Sequence, residues 1–109
     1  MKTCEVSDIF PLWIDKEDHQ RDICLVDVRS IEEFNECHVK DAVHIPLHLL
    51  TVRCDEIAND KPVYFICLSG ARSAQAAQWL GSQRQQEMTN VAGGMHAWLQ
   101  MGYPVESKQ

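Results

Sequence analysis

Short apolar runs and helical stripes alternate along the whole of this 109-residue chain. The run "ICLVDV" (Ile23–Val28), with Asp27 near its end, has the pattern of a strand buried on both faces of a parallel sheet. Ser30 and Glu33 follow at capping-box spacing and start a helix at "SIEEF". "DAVHIP" (Asp41–Pro46) predicts another brief strand, and "LHLLTVRC" a helix beginning near Pro46. "PVYFIC" (Pro62–Cys67) is the clearest strand, with Pro62 at its first position, where a missing N–H does least harm. In "SAQAAQWLGSQR", Ala74, Ala77 and Leu80 recur in steps of three and predict a helix. "MTNV" (Met88–Val91) is a weaker strand signal, and "GMHAWLQMG" reads as a helix stopped by Gly102 with Pro104 beyond it. Near the N-terminus, "VSDIFPLWIDKEDH" predicts a helix from about Ser7, with Pro11 as a potential break. Strands alternating with helices, without repeats or linkers, predict an α/β layered domain with a mostly parallel sheet.

Composition narrows the class. The length suits one domain, residues 1–109, with a core of ordinary size. The 45% hydrophobic and 24% charged content is that of a globular protein. No apolar run is long enough to span a membrane, and "MKTCEVSDIF" has no signal-peptide h-region. A cytoplasmic protein with no membrane partner is expected. The net charge of −6 argues against nucleic acid, which calls for a basic face. Residues 1–60 hold 14 acidic and 6 basic side chains, whereas residues 61–109 hold 2 and 4. The second half is the one less repellent to anions.

Five cysteines (Cys4, Cys24, Cys37, Cys54 and Cys67) are an odd number with neither a CxxC pair nor zinc spacing. No metal or cofactor is expected, and the thiols should be reduced. Cys24 and Cys54 read as small buried hydrophobes, and Cys4 lies near a chain end that should fray. Cys67 stands apart. It falls at the carboxyl end of the clearest strand, where ligands bind in open parallel sheets, just before a helix. Free N–H groups and the positive dipole end of that helix favour a thiolate, which can titrate one or more units below about 8.5. None of Leu68, Ser69, Gly70, Ala71 and Arg72 is proline, so each offers an amide to an anion-binding nest. Gly70 permits a left-handed kink, and Arg72 adds a fixed charge.

"CLSGARS" resembles the C-x-x-G-x-R-S active-site loop of the rhodanese superfamily. "VDVRSIEEFNECHVKDAVHIPL" (Val26–Leu47) is similar to its D-V-R-x-x-x-E-F-x-x-G-H-I-x-G-A-x-x-I-P-L signature, and "VAGGMHAWLQMGYPVE" (Val91–Glu106) to its C-terminal G-G-x-x-A-W-x-x-x-G-x-P-V-E. The matches run in order through residues 23–106. The resemblance implies a three-layer α/β/α rhodanese-like domain with a mostly parallel central sheet. It also implies a sulfurtransferase. Cys67 would be the catalytic nucleophile, taking the outer sulfur of thiosulfate or a similar small anionic donor and storing it as a persulfide. Leu68, Ser69, Gly70, Ala71 and Arg72 would bind the substrate, and cyanide, a thiol or a sulfur-carrier protein would accept the sulfur.

Two rivals remain. A cysteine phosphatase would use a C-x5-R loop, whereas Cys67 and Arg72 are spaced as C-x4-R, a smaller cradle without a positioned acid. A rhodanese-like binding or regulatory module commonly replaces the cysteine that is retained here. Cyanide turnover separates that reading from an enzyme. The chain departs from the signature at Cys37, which stands in place of a glycine, and at Lys40 and Asp41, in place of Pro-Gly. If the glycine takes a positive φ, Cys37 is strained. Structural drift is the default for Cys37, and a resolving thiol the sharper alternative. Asp27 and Arg29 read as a buried structural pair with Glu32 or Glu33. His38, His44, His48 and His96 read as structural, and Trp79 and Trp98 as core. Ser73 should open the helix after the loop, within reach of Cys67 but not as a catalytic residue.

Overall fold

The computed structural model describes residues 1–108. Five short strands, β1 (Lys2–Cys4), β2 (Cys24–Asp27), β3 (Val43–His44), β4 (Val63–Ile66) and β5 (Met88–Val91), build one sheet in the order β1-β5-β4-β2-β3. Every neighbouring pair is parallel, so each crossover needs a connection long enough to return the chain. The helices α1 (Val6–Trp13), α2 (Ile31–Glu36), α3 (Leu50–Arg53), α4 (Ala71–Gln83) and α5 (Gly94–Gln100) supply them, together with short 3-10 turns.

Successive strand residues point to opposite faces, and the central strands bury both. Val63, Phe65 and Cys67 join one apolar cluster, with Ala76, Ala77 and Leu80 of α4 and Leu50 of α3. Tyr64 and Ile66 face the other, with Ile9 and Trp13 of α1 and Met95 and Trp98 of α5. The sheet therefore lies between two helical layers. Burying a side chain such as Phe65 contributes about 1.5–3 kcal/mol, which is why these runs carry no polar alternation.

Local signals act as the sequence implies at α2. Ser30 N–H donates to Glu33 Oε1 at 3.0 Å, and Glu33 N–H donates to Ser30 Oγ at 3.2 Å. Elsewhere the structure differs in detail. The expected helix after Pro46 is broken into a 3-10 turn at Leu47–Leu49, the single turn of α3 and a second 3-10 turn at Cys54–Glu56. The buried stripe of α4 is Ser73, Ala76, Ala77 and Leu80, with Ala74 half-buried, because a 3.6-residue period drifts off a strict step of three. Pro11 sits inside α1, which ends at Trp13. β1 has no signal in the sequence: its three residues are mostly exposed and owe their shape to parallel pairing with β5. Cys4 is thus tied to the sheet edge, where its carbonyl accepts from Ala92 N–H at 2.8 Å. Cys37 is not strained, with φ −163°; the positive φ falls on Asp41, at 66°. Aspartate tolerates the left-handed region better than most residues, and Arg21 Nη1 holds its carboxylate at 2.8 Å. Among the described residues, no helix is long and apolar enough to cross a membrane.

Candidate functional site

Cys67 directly follows β4 and is 1% exposed. Its Sγ accepts from Gly70 N–H at 3.1 Å and lies 3.2 Å from Ser73 Oγ. The turn that brings Gly70 N–H back to the sulfur needs φ +105° at Gly70, a conformation in which a Cβ would be strained. Gly70 is also the residue that caps α4, so the sulfur faces the first turn of a 13-residue helix. Burial pushes the Cys67 thiol up. The Ser73 hydroxyl and the amides of Ser73, Gly70 and Ser69 outweigh it and hold the thiol below its ordinary value.

A second element fixes the loop from outside. At the start of α5, Met95 N–H donates to the Cys67 carbonyl at 2.8 Å and His96 N–H to the Leu68 carbonyl at 3.0 Å. This close approach requires glycine at position 94. A Cβ there would stand 2.3 Å from the Cys67 carbonyl oxygen and 2.7 Å from that of Leu68. Half-buried Leu68 packs into the α1/α5 cluster, while Ser69 and Ala71 are exposed at the loop's rim.

Arg72 does not stand free. Its Nη1 and Nη2 donate to Glu33 Oε1 and Oε2 at 2.7 and 2.9 Å, so the loop is tied to α2. The Arg72 bonds hold the Glu33 carboxyl at about 2 against the opposing effect of burial. Arg29 pairs with Asp27 instead of a glutamate: its Nε and Nη2 donate to the Asp27 carboxylate at 3.0 and 2.8 Å, and Nη2 also donates to the Cys37 carbonyl at 2.7 Å. The pair is buried at the end of β2, and its contacts with the Arg29 N–H and the Cys37 carbonyl fix the backbone there. His38 and His44 stack on Phe34 and bond the carbonyls of Phe34 and Arg29 at 2.7 and 2.8 Å, which fits their structural reading. Trp98 is fully buried and Trp79 half-buried. Next to the loop, Val28, Ser30, Pro46, Leu47, His48 and Arg72 line an open groove of about 290 Å³.

Residues 10–101 match the rhodanese-like domain family. The chain belongs to that family. A sulfurtransferase of Allochromatium vinosum is 39% identical over 84 residues, which cover 77% of this chain and 78% of the relative. The thiosulfate sulfurtransferase GlpE of Vibrio cholerae is 33% identical over 88 residues, covering 81% and 83%. The crystal structure of a rhodanese-like domain protein from Staphylococcus aureus superposes with a TM-score of 0.83 at 26% identity, each chain covered in full. In this rhodanese-like chain, the three quoted motifs meet in one place: "CLSGARS" forms the loop, Glu33 of the first motif grips Arg72, and Gly94 of the last motif lets α5 clamp the loop's carbonyls. Sequence reasoning missed two participants. Local spacing relates Glu33 to helix capping and to Arg29, and only the fold brings it to Arg72. Asn90, whose Oδ1 accepts from Ser73 Oγ at 2.6 Å, lies inside a weak strand signal; an amide in a run flanked by Met88 and Val91 is what marks it.

Proposed function

We propose that this chain, as a single rhodanese domain spanning residues 1–109, is a sulfurtransferase working through a persulfide on Cys67. The Cys67 thiolate attacks the outer, sulfane sulfur of thiosulfate or a similar donor. A bond forms between Sγ and that sulfur, the donor's S–S bond breaks, and sulfite leaves with the bonding electron pair. Sulfite is a stable anion, so no acid is needed to protonate it. In the second step cyanide, a thiol or a sulfur-carrier protein attacks the outer sulfur of the persulfide, and Cys67 leaves as the thiolate with which it began. Dividing the transfer in two lowers each barrier. The amides of Leu68, Ser69, Gly70, Ala71 and Arg72 form the cradle for the incoming sulfur and for the charge that moves between the sulfurs. Arg72, with its charge shared by Glu33, acts more as the strut of the cradle than as a free anion hook. The names of the two relatives, both sulfurtransferases, support the reaction class. The five free cysteines suit the reducing cytoplasm, where we place the protein.

The observation that carries this reading is the Cys67 sulfur seated 3.1 Å from Gly70 N–H and 3.2 Å from Ser73 Oγ at the carboxyl end of a central strand. The test is a thiocyanate assay with cyanide as acceptor, using thiosulfate, mercaptopyruvate or an alkyl persulfide as donor, on wild type and Cys67→Ser. Turnover with at least one donor in wild type and none in the variant is expected. Wild type inert towards all three donors would overturn the reading.

A further inference from the structure

The hydrogen-bond chain behind Cys67 does not end at Ser73. Ser73 is 0% and Asn90 8% exposed. Ser73 Oγ donates to Asn90 Oδ1 at 2.6 Å and lies 3.2 Å from Cys67 Sγ. A serine hydroxyl has one proton to give and two lone pairs to receive with. While that proton points at Asn90, Ser73 can serve Cys67 only by accepting S–H, which stabilises the thiol. A thiolate needs the reverse: the Ser73 proton must turn to the sulfur, and Oγ then wants a donor on its other side. Asn90 carries one. A half-turn of its amide replaces Oδ1 with Nδ2, whose present neighbour is Gly70; a side chain begun at Gly70 would stand 3.9 Å from it.

From this geometry we infer that Asn90 is a positioning residue, a two-way amide that lets Ser73 bond Cys67 in both its thiol and its thiolate states. Its catalytic meaning rests on the reading of Cys67 as the sulfur acceptor. The inference also explains an otherwise costly feature, an amide on a central strand, since an unpaired amide there would go undersatisfied. Charged neighbours leave the decision to these bonds. Arg72 of α4 is matched by Glu33 of α2, and Arg29 by Asp27 at the end of β2. Beyond these stand the His48 side chain, on the groove beside Arg72, and the exposed His96 on α5.

The test is the pH profile of iodoacetamide alkylation at Cys67, followed by peptide mass in the full chain, for wild type, Asn90→Leu, Ser73→Ala and the double variant. Ser73→Ala removes the only hydroxyl that can turn to the thiolate and should raise the midpoint by about one pH unit, making alkylation roughly 10-fold slower at pH values below the wild-type midpoint. The near-isosteric Asn90→Asp, which can accept the Ser73 proton but never donate back, should also raise it. Asn90→Leu takes support from both states and should move the midpoint less than either; in the Ser73→Ala background it should move nothing, because Asn90 acts only through Ser73. A wild-type midpoint in folded Asn90→Asp would overturn the proposal, as would a shift by Asn90→Leu that appears in the Ser73→Ala background. Alkylation uses no sulfur donor. A shifted midpoint in a protein that takes up no sulfur would therefore sink the sulfurtransferase reading and leave the positioning role standing.

Discussion

Cys24 opens β2 and Cys67 directly follows its partner strand β4; they pack into the same apolar cluster and are 9% and 1% exposed, yet their thiols move in opposite directions. Burial raises Cys24 and wins over a bond from the Ala58 backbone and the more distant charges of Lys61 and Arg84. Burial also raises Cys67, but there the Ser73 hydroxyl and three amides reverse it. The two residues occupy opposite ends of the sheet. At the amino end of β2 the backbone is consumed by pairing, as when Cys24 N–H donates to the Pro62 carbonyl at 2.9 Å. At the carboxyl end of β4 the chain turns into a helix whose first amides have no partners of their own. Cys4, on the edge strand, follows Cys24: burial, Asp8 and Glu5 push it up to about 11. Burial alone makes a thiol inert, and the loop between strand and helix makes one usable.

The largest effect should separate the two buried thiols directly. Cys67→Ser should lower sulfur uptake by at least about 10³-fold with little change in stability. Cys24→Ser should leave uptake within about twofold but cost about 1–3 kcal/mol in urea unfolding, since its hydroxyl enters an apolar cluster. Uptake lost equally in both would dissolve the contrast. Next comes the clamp. Gly94→Ala drives a methyl into the Cys67 and Leu68 carbonyls and should cost about 3 kcal/mol or more, with slower alkylation of Cys67 while Cys24 stays protected. An unchanged urea midpoint would mean that α5 does not hold the loop.

The smallest effect is electrostatic and has a defined pH window. Glu33 lies at about 2 in the folded chain against 4.5 as its ordinary value, so folding favours its charged form. The stabilisation is complete above 4.5 and fades as pH falls towards 2, when the carboxyl is protonated whether or not the chain is folded. For this partly exposed pair the effect is about 1 kcal/mol, screened by solvent. Glu33→Gln should therefore unfold more easily than wild type at neutral pH and match it near the acid end of that window. A gap that stays constant with pH would assign the loss to helix capping.

The fold was legible where burial leaves continuous apolar runs, as in β2 and β4, and where a local bond fixes a boundary, as with Ser30 and Glu33. Cys67 was legible for the same reason: strand, loop and helix adjoin it in sequence. What escaped depends on distance along the chain. β1 is shaped by a partner strand more than eighty residues away, so its own three residues carry no pattern. Glu33 meets Arg72, and Ser73 meets Asn90, across separate elements, which no local spacing encodes. The strain expected at Cys37 appears at Asp41 because the extended backbone continues through the missing glycine and the turn tightens later, in the segment where Pro-Gly is replaced.

Residue-resolved sulfur mapping tests the central claim most directly. The protein would be exposed briefly to a sulfur donor that it accepts, digested without reductant, and each cysteine peptide weighed. One added sulfur on Cys67, removed by cyanide, with Cys4, Cys24, Cys37 and Cys54 unmodified, is the predicted result. Sulfur spread over several cysteines, or carried by another while Cys67 stays bare, would contradict it.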